Sequence, residues 1–307
     1  MVRKKGRVAT LKRFLPMYLF AAPGIIYLII NNFLPLFGML LAFKDIDFSK
    51  GLFGGDWVGF KNFKYLFRTS TAWQMIRNTL CYNIVFIILG VICGVAVAIF
   101  LNEIRSKMAK KVFQTLILLP YLMSWVVVSY LSYAFLASDT GLINGVLSSL
   151  GLQTVSWYST KVYWPFILTF VNMWKSIGFS SIIYYSSIVG ISQDYYEAAI
   201  IDGATAWQRI KGITIPLLKP TIITLTILNI GHIFASDFGL FYQVTRNSGE
   251  LYSVTRTIDV YVYNALMNSG DISMSLAASV FQSVVGFVLV MVTNTIVRKV
   301  DSDSALF

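Results

Sequence analysis

Charge is what this chain has least of. Only 13% of its 307 residues are Asp, Glu, Lys or Arg, whereas 56% are hydrophobic and 15% aromatic. A soluble domain carries roughly 25% charged residues, because its surface must be hydrated. Half that fraction cannot cover a water-facing surface at this length, so lipid must solvate much of the chain. Histidine occurs once, as His232, so a metal site built on it would have no histidine partner. Cysteine occurs twice, as Cys81 and Cys93 in one apolar run; they read as small buried hydrophobes, not a disulfide framework. No G-x-x-x-x-G-K-[ST] loop is present, so nucleotide is not bound in the P-loop manner. No Ser–Lys, Asp–Asp or His-x-x-x-His arrangement offers an intramembrane catalytic centre. The chain is therefore expected to hold no metal or cofactor of its own.

Basic residues are in excess, with a formal net charge of +11. They cluster at the ends of apolar runs and carry no nucleic-acid-binding motif, so they point to membrane orientation rather than to a phosphate backbone. Six runs are long enough to cross a bilayer, which takes about 20 apolar residues each. They lie near Met17–Phe43, Thr79–Leu101, Val112–Leu136, Val162–Val189, Leu217–Phe241 and Leu276–Val297. Each should be helical, because hydrocarbon cannot satisfy free backbone polar groups. Pro23, Pro35, Pro120 and Pro165 predict kinks. The predicted organisation is a basic segment over 1–16, a six-helix membrane domain over 17–297 and a tail over 298–307. The first run follows a basic stretch, but it is too long for a signal-peptide core and reads as an uncleaved span.

Placing both termini inside puts fifteen Lys and Arg in cytoplasmic segments and nine outside, with Lys175 inside a span. The positive-inside rule favours that orientation. One segment disagrees. Lys44–Asn78 carries six basic residues outside, interleaved with Trp57, Phe60, Phe63, Tyr65, Leu66 and Phe67, which suggests an interfacial helix. In the second run, Gly90, Gly94 and Ala98 recur every fourth residue, a pattern that permits close helix contact.

Between the fourth and fifth runs, residues 191–216 read as two short helices joined by a turn. Ser192 can cap the first, with Asp194 and Glu197 in its early turns. Gly203 supplies the turn, Thr205 and Gln208 form a capping box for the second, and Pro216 ends it. Tyr195, Ala198, Ala199 and Ile201–Ala204 offer a small, partly apolar surface suited to a partner's groove.

Glu197-Ala198-Ala199, then Asp202-Gly203, then Ile213 and Ile215-Pro216, resembles the EAA loop of ABC importer permeases. Pro23-Gly24, Phe33–Phe37, Val58–Phe63, Asp237–Tyr242, Thr257–Tyr263, Phe281–Phe287 and Ala305–Phe307 resemble carbohydrate-uptake permeases of the lipopolysaccharide/aldouronate type. The resemblance covers most of the chain. It implies an all-α six-transmembrane-helix bundle of the type I ABC importer permease kind, in the bacterial cytoplasmic membrane, with 191–216 as a cytoplasmic coupling helix. It also implies pairing with a second permease, two ABC ATPases that carry the ATP and Mg, and an extracytoplasmic solute-binding protein. Glu197, Ala198, Ala199, Asp202, Gly203, Ile213 and Pro216 would then meet the ATPase, and a carbohydrate would cross by alternating access. A non-sugar solute, or ion-coupled transport without an ATPase, remains open from the residues alone.

Polar groups inside membrane helices are costly and therefore informative. Asn172, Trp174 and Lys175 in the fourth run, and Asn229, His232, Asp237 and the nearby Tyr242 in or after the fifth, are candidates for a substrate path. Amide and imidazole groups suit sugar hydroxyls, and rings suit sugar C–H faces. Each can equally serve packing, and Lys175 and Asp237 can pair or line a wet path.

Overall fold

A computed structural model describes residues 7–51, 54–300 and 305. Arg3, Lys4 and Lys5 of the basic segment, and Leu306-Phe307 of the closing motif, lie outside the described residues.

The chain is helical and membrane-spanning. The first span runs through α1 (Arg7–Leu28), a π turn and tighter turns to Phe43. A two-stranded hairpin follows, β1 (Lys44–Asp45) against β2 (Asp56–Trp57), with Lys44 opposite Trp57. Next come α2 (Lys61–Arg68), the long α3 (Ser70–Glu103), α4 (Lys107–Leu122), α5 (Trp125–Leu136) and the short α6 (Leu142–Ser149). The chain continues through α7 (Trp164–Val189), α8 (Gln193–Ile201), α9 (Ala206–Arg209), α10 (Ile215–Gly231), a single turn over Tyr252–Thr255, α11 (Ile258–Asn264) and α12 (Ile272–Val300).

Five continuous helices are long and apolar enough to cross a bilayer, and α4 with α5 makes a sixth if that bent pair counts as one span. The pair corrects the third run, which was expected to be one kinked helix. It bends by 96° because Ser124 ends the regular ladder: its Oγ accepts the Val127 N–H at 3.4 Å and caps a new helix. The fifth span also differs from its expected bounds. It begins at Ala206 and ends at Gly231 instead of running from Leu217 to Phe241. Pro216 does not stop it. A π turn over Ile210–Thr214 leads straight into α10, and Pro216 falls where the hydrogen-bond register shifts, so its missing N–H does not break the helix.

Tyr82, Val128, Trp164, Leu168, Leu240 and Phe241 form one core between α3, α5, α7 and the segment after α10; Leu66, Met75, Phe234, Ile258 and Ala278 form a second against α12. The small-residue stripe does half of what its spacing suggests. Ala98 is buried, and a Cβ on Gly94 would lie 3.1 Å from the Tyr184 ring of α7, but Gly90 meets nothing within 4 Å. Gly90 borders open space. The first span stands apart over most of its length, with nearly every side chain from Phe14 to Phe37 exposed, while its last turns pack Ala42 against Ala277 and Val280 of α12.

Candidate functional site

The space beside Gly90 is a cavity of about 310 Å³. Asn83 and Phe86 of α3, Asn172, Ser176 and Phe179 of α7, Asn229 of α10, and His232 and Asp237 beyond it all line this space. Four of the seven path candidates, Asn172, Asn229, His232 and Asp237, therefore meet at one place. Only Asn229 of the last three lies within a helix; His232 caps α10, and Asp237 lies in the broken segment that follows.

Polar side chains hold that break open. Asn83 Nδ2 donates to the carbonyls of Ile233 and Ala235, both at 2.8 Å. The Ser236 N–H and hydroxyl donate to Asp259 Oδ2 at 2.6 and 2.7 Å, while Gln282 Nε2 donates to Asp259 Oδ1 at 3.2 Å. Asp237 Oδ1 accepts the Gly239 N–H at 2.9 Å and starts a π turn, Gly239–Val244. The bonds to the Ile233 and Ala235 carbonyls and from the Ser236 and Gly239 N–H groups replace ones that a continuous helix would have made, which is how irregular backbone survives at membrane depth. Asn83 and Asp259 were missed from sequence. The only signal was an amide in an apolar run and a carboxylate within the Thr257–Tyr263 stretch.

The other three candidates sit elsewhere. At the bend after α4, Lys175 Nζ donates to the carbonyl of Tyr121 at 2.8 Å and, at 3.4 Å, to that of Pro120, which also accepts the Met123 N–H. It lies 5.0 Å from the Trp125 ring centre, and it does not come within ion-pair distance of Asp237. Trp174 lines an apolar groove with Leu131, Phe135, Phe166 and Phe170 on the opposite face of α7. Tyr242 packs among rings, 4.6 Å from Phe238 and 4.9 Å from Tyr263.

At the far end of the bundle, α8 and α9 stand out from the surface. Ser192 Oγ accepts the Asp194 N–H at 3.3 Å, and Thr205 and Gln208 form a reciprocal capping box at 3.3 and 2.7 Å. Gly203 turns between them at φ +77°, where a side chain is strained. Glu197, Ala198, Asp202, Gly203 and Pro216 are exposed, and Ala199 and Ile213 are half-buried. Ile201 is 85% exposed and Trp207 68%, large apolar side chains with no cover from this chain. One tether keeps the knob in place: the Tyr196 and Thr214 hydroxyls lie 3.0 Å apart. Asn102 and Glu103, closing α3, share this end with Arg209, whereas β1, β2 and α2 lie at the other.

This architecture has known counterparts. Residues 86–302 match the family described as binding-protein-dependent transport system inner membrane component. The chain is 34% identical over 296 residues to protein LplB of Bacillus subtilis (strain 168), covering 96% of this chain and 92% of that one. It is also 34% identical over 283 residues to the polygalacturonan/rhamnogalacturonan transport system permease protein YteP of the same organism, covering 92% and 88%. A crystal structure of a bacterial ABC transporter involved in the import of the acidic polysaccharide alginate superposes with a TM-score of 0.87 at 31% identity, covering 95% of this chain and 98% of that one. The chain therefore belongs to the binding-protein-dependent transport system inner membrane component family, as a multi-pass ABC permease subunit.

Proposed function

We propose that this chain is one permease half of an ATP-driven importer that moves an oligosaccharide across the bacterial cytoplasmic membrane by alternating access. The cavity carries the reading. Its polar groups are amides, hydroxyls, one imidazole and the Asp237 carboxylate, all able to bond sugar hydroxyls, and Phe86 and Phe179 offer rings beside them. The relatives named for polygalacturonan and rhamnogalacturonan transport, and the alginate importer crystallised with its pentasaccharide-bound periplasmic protein, support the same substrate class.

Exposed α8 is the seat for a cytoplasmic ABC ATPase, which supplies ATP and Mg; a second permease closes the path, and an extracytoplasmic binding protein delivers the sugar. The excess of Lys and Arg at the α8 end supports a cytoplasmic position for that end and for both termini. Glu197 through Pro216 transmit force and perform no covalent chemistry. The test is uptake of labelled oligosaccharides into proteoliposomes holding the complete cognate complex. Uptake that needs both ATP and the binding protein is expected. Uptake by this chain without an ATPase, driven by an ion gradient, would overturn the reading.

A further inference from the structure

The basic outer segment finds no use in sugar transport, and its geometry has a use of its own. From Trp57 to Asn102 the chain has no acidic residue, while Lys61, Lys64 and Arg68 recur along one exposed face of α2. Among the described residues, no carboxylate lies within ion-pair distance of these three cations. The other face of α2 is fastened down. Leu66 and Asn62 are buried, and Asn62 Nδ2 donates to the carbonyls of Ala42 and Lys44, both at 2.9 Å. Phe67 packs edge-on against Phe281 of α12 at 4.9 Å. The cations are therefore held at a set depth.

That depth falls within the apolar span of α12. Phe281 lies about 13 Å along α12 from its start at Ile272, by the 1.5 Å rise of a helix, so α2 rests against the outer part of a 28-residue apolar helix. Trp57, Phe60, Tyr65 and Trp73 are each more than half exposed around it, as aromatic side chains are at a membrane interface. Between them lies a groove of about 570 Å³, with Phe60, Phe63 and Phe67 as its apolar wall and Lys64 and Arg68 as its charged rim. A soluble acidic protein or a hydrated glycan would satisfy the cations and leave the rings wet. A phospholipid satisfies both, with phosphate on the rim and an acyl chain along the rings.

We propose that the groove along α2 binds one anionic phospholipid in the leaflet opposite the α8 end. The site also accounts for basic residues that run against the positive-inside pattern, because they face lipid phosphate. The experiment is native mass spectrometry of the purified full chain with equal phosphatidylglycerol and phosphatidylcholine. Wild type should retain one phosphatidylglycerol in preference to phosphatidylcholine. The double variant Lys64→Gln/Arg68→Gln should lower that retention about thirtyfold, given the attraction expected of two cations near a lipid phosphate. Phe60→Ser, at an exposed ring, should weaken it with the charges intact, and Lys50→Gln, outside the groove, should leave it unchanged. Equal retention by wild type and the double variant would overturn the proposal. So would equal loss on Lys50→Gln, which would mean diffuse surface charge, or displacement of the lipid by an acidic oligosaccharide, which would make this a glycan site.

Discussion

The indole N–H of Trp125 donates to Oδ2 of Asp237 at 2.7 Å, and that bond joins the two places where the bundle's helices break. Trp125 opens α5 after the 96° bend, and Asp237 follows the end of α10. The same indole ring lies beside Lys175, whose ammonium covers the carbonyls at the end of α4. One side chain thus stands between a cation and an anion that do not touch.

Trp125→Phe keeps a ring beside Lys175 and removes the bond to Asp237. Because Asp237 is exposed to the cavity, water can replace the lost donor, so the loss should be about 1 kcal/mol, below the roughly 1.5–3 kcal/mol of a hydrogen bond to a charged group. Reversible denaturation in detergent measures it. An unchanged midpoint would show that packing alone joins the two breaks.

Asn83→Leu leaves the Ile233 and Ala235 carbonyls without their donor in a partly buried site. About 1–2 kcal/mol of destabilisation is expected from the two bonds, since bonds of this kind inside membranes average roughly 0.6 kcal/mol and reach about 1.7 kcal/mol. Ser180→Ala, on the same cavity wall, should cost far less. Equal effects from the two variants would remove Asn83 from its role in holding the break.

Gly203→Asp should weaken co-purification of the ATPase and uncouple its hydrolysis from uptake. A Cβ at Gly203 meets nothing within 4 Å, so the local penalty is conformational, roughly 1 kcal/mol, and the spans should still insert. Gly203→Asn should be milder, because Asn tolerates positive φ. Glu197→Ala should reduce coupling without unfolding, since Glu197 is exposed. Wild-type assembly, stimulated hydrolysis and uptake in all three variants would exclude this knob as the ATPase seat.

Orientation is checked by cysteine labelling after Cys81 and Cys93 are replaced by Ser. Ser149→Cys, exposed at the end of α6, should react with an impermeant maleimide added outside intact cells. Gln193→Cys, exposed on α8, should react only after the membrane is opened. The reverse pattern would invert the protein.

Membrane residence, six apolar runs and the capped turn around Gly203 follow from the sequence by itself. Each depends on interactions within a few residues of chain or on a hydrophobic tally, and neither needs a neighbouring helix. The 96° bend, the end of α10 at Gly231 and the passage of a helix through Pro216 were decided only in the tertiary structure. Beside the helix that Ser124 starts, the Tyr121 carbonyl is met by Lys175 of α7, a partner that local sequence cannot supply. Whether the fifth run ends at Gly231 depends on Asn83 and Asp259 reaching it from other helices. Residue type likewise placed seven polar and aromatic side chains near a path. Their directions were set by which face of α7 meets α3 and which meets lipid, so Asn172 entered the cavity while Trp174, two residues on, turned away from it.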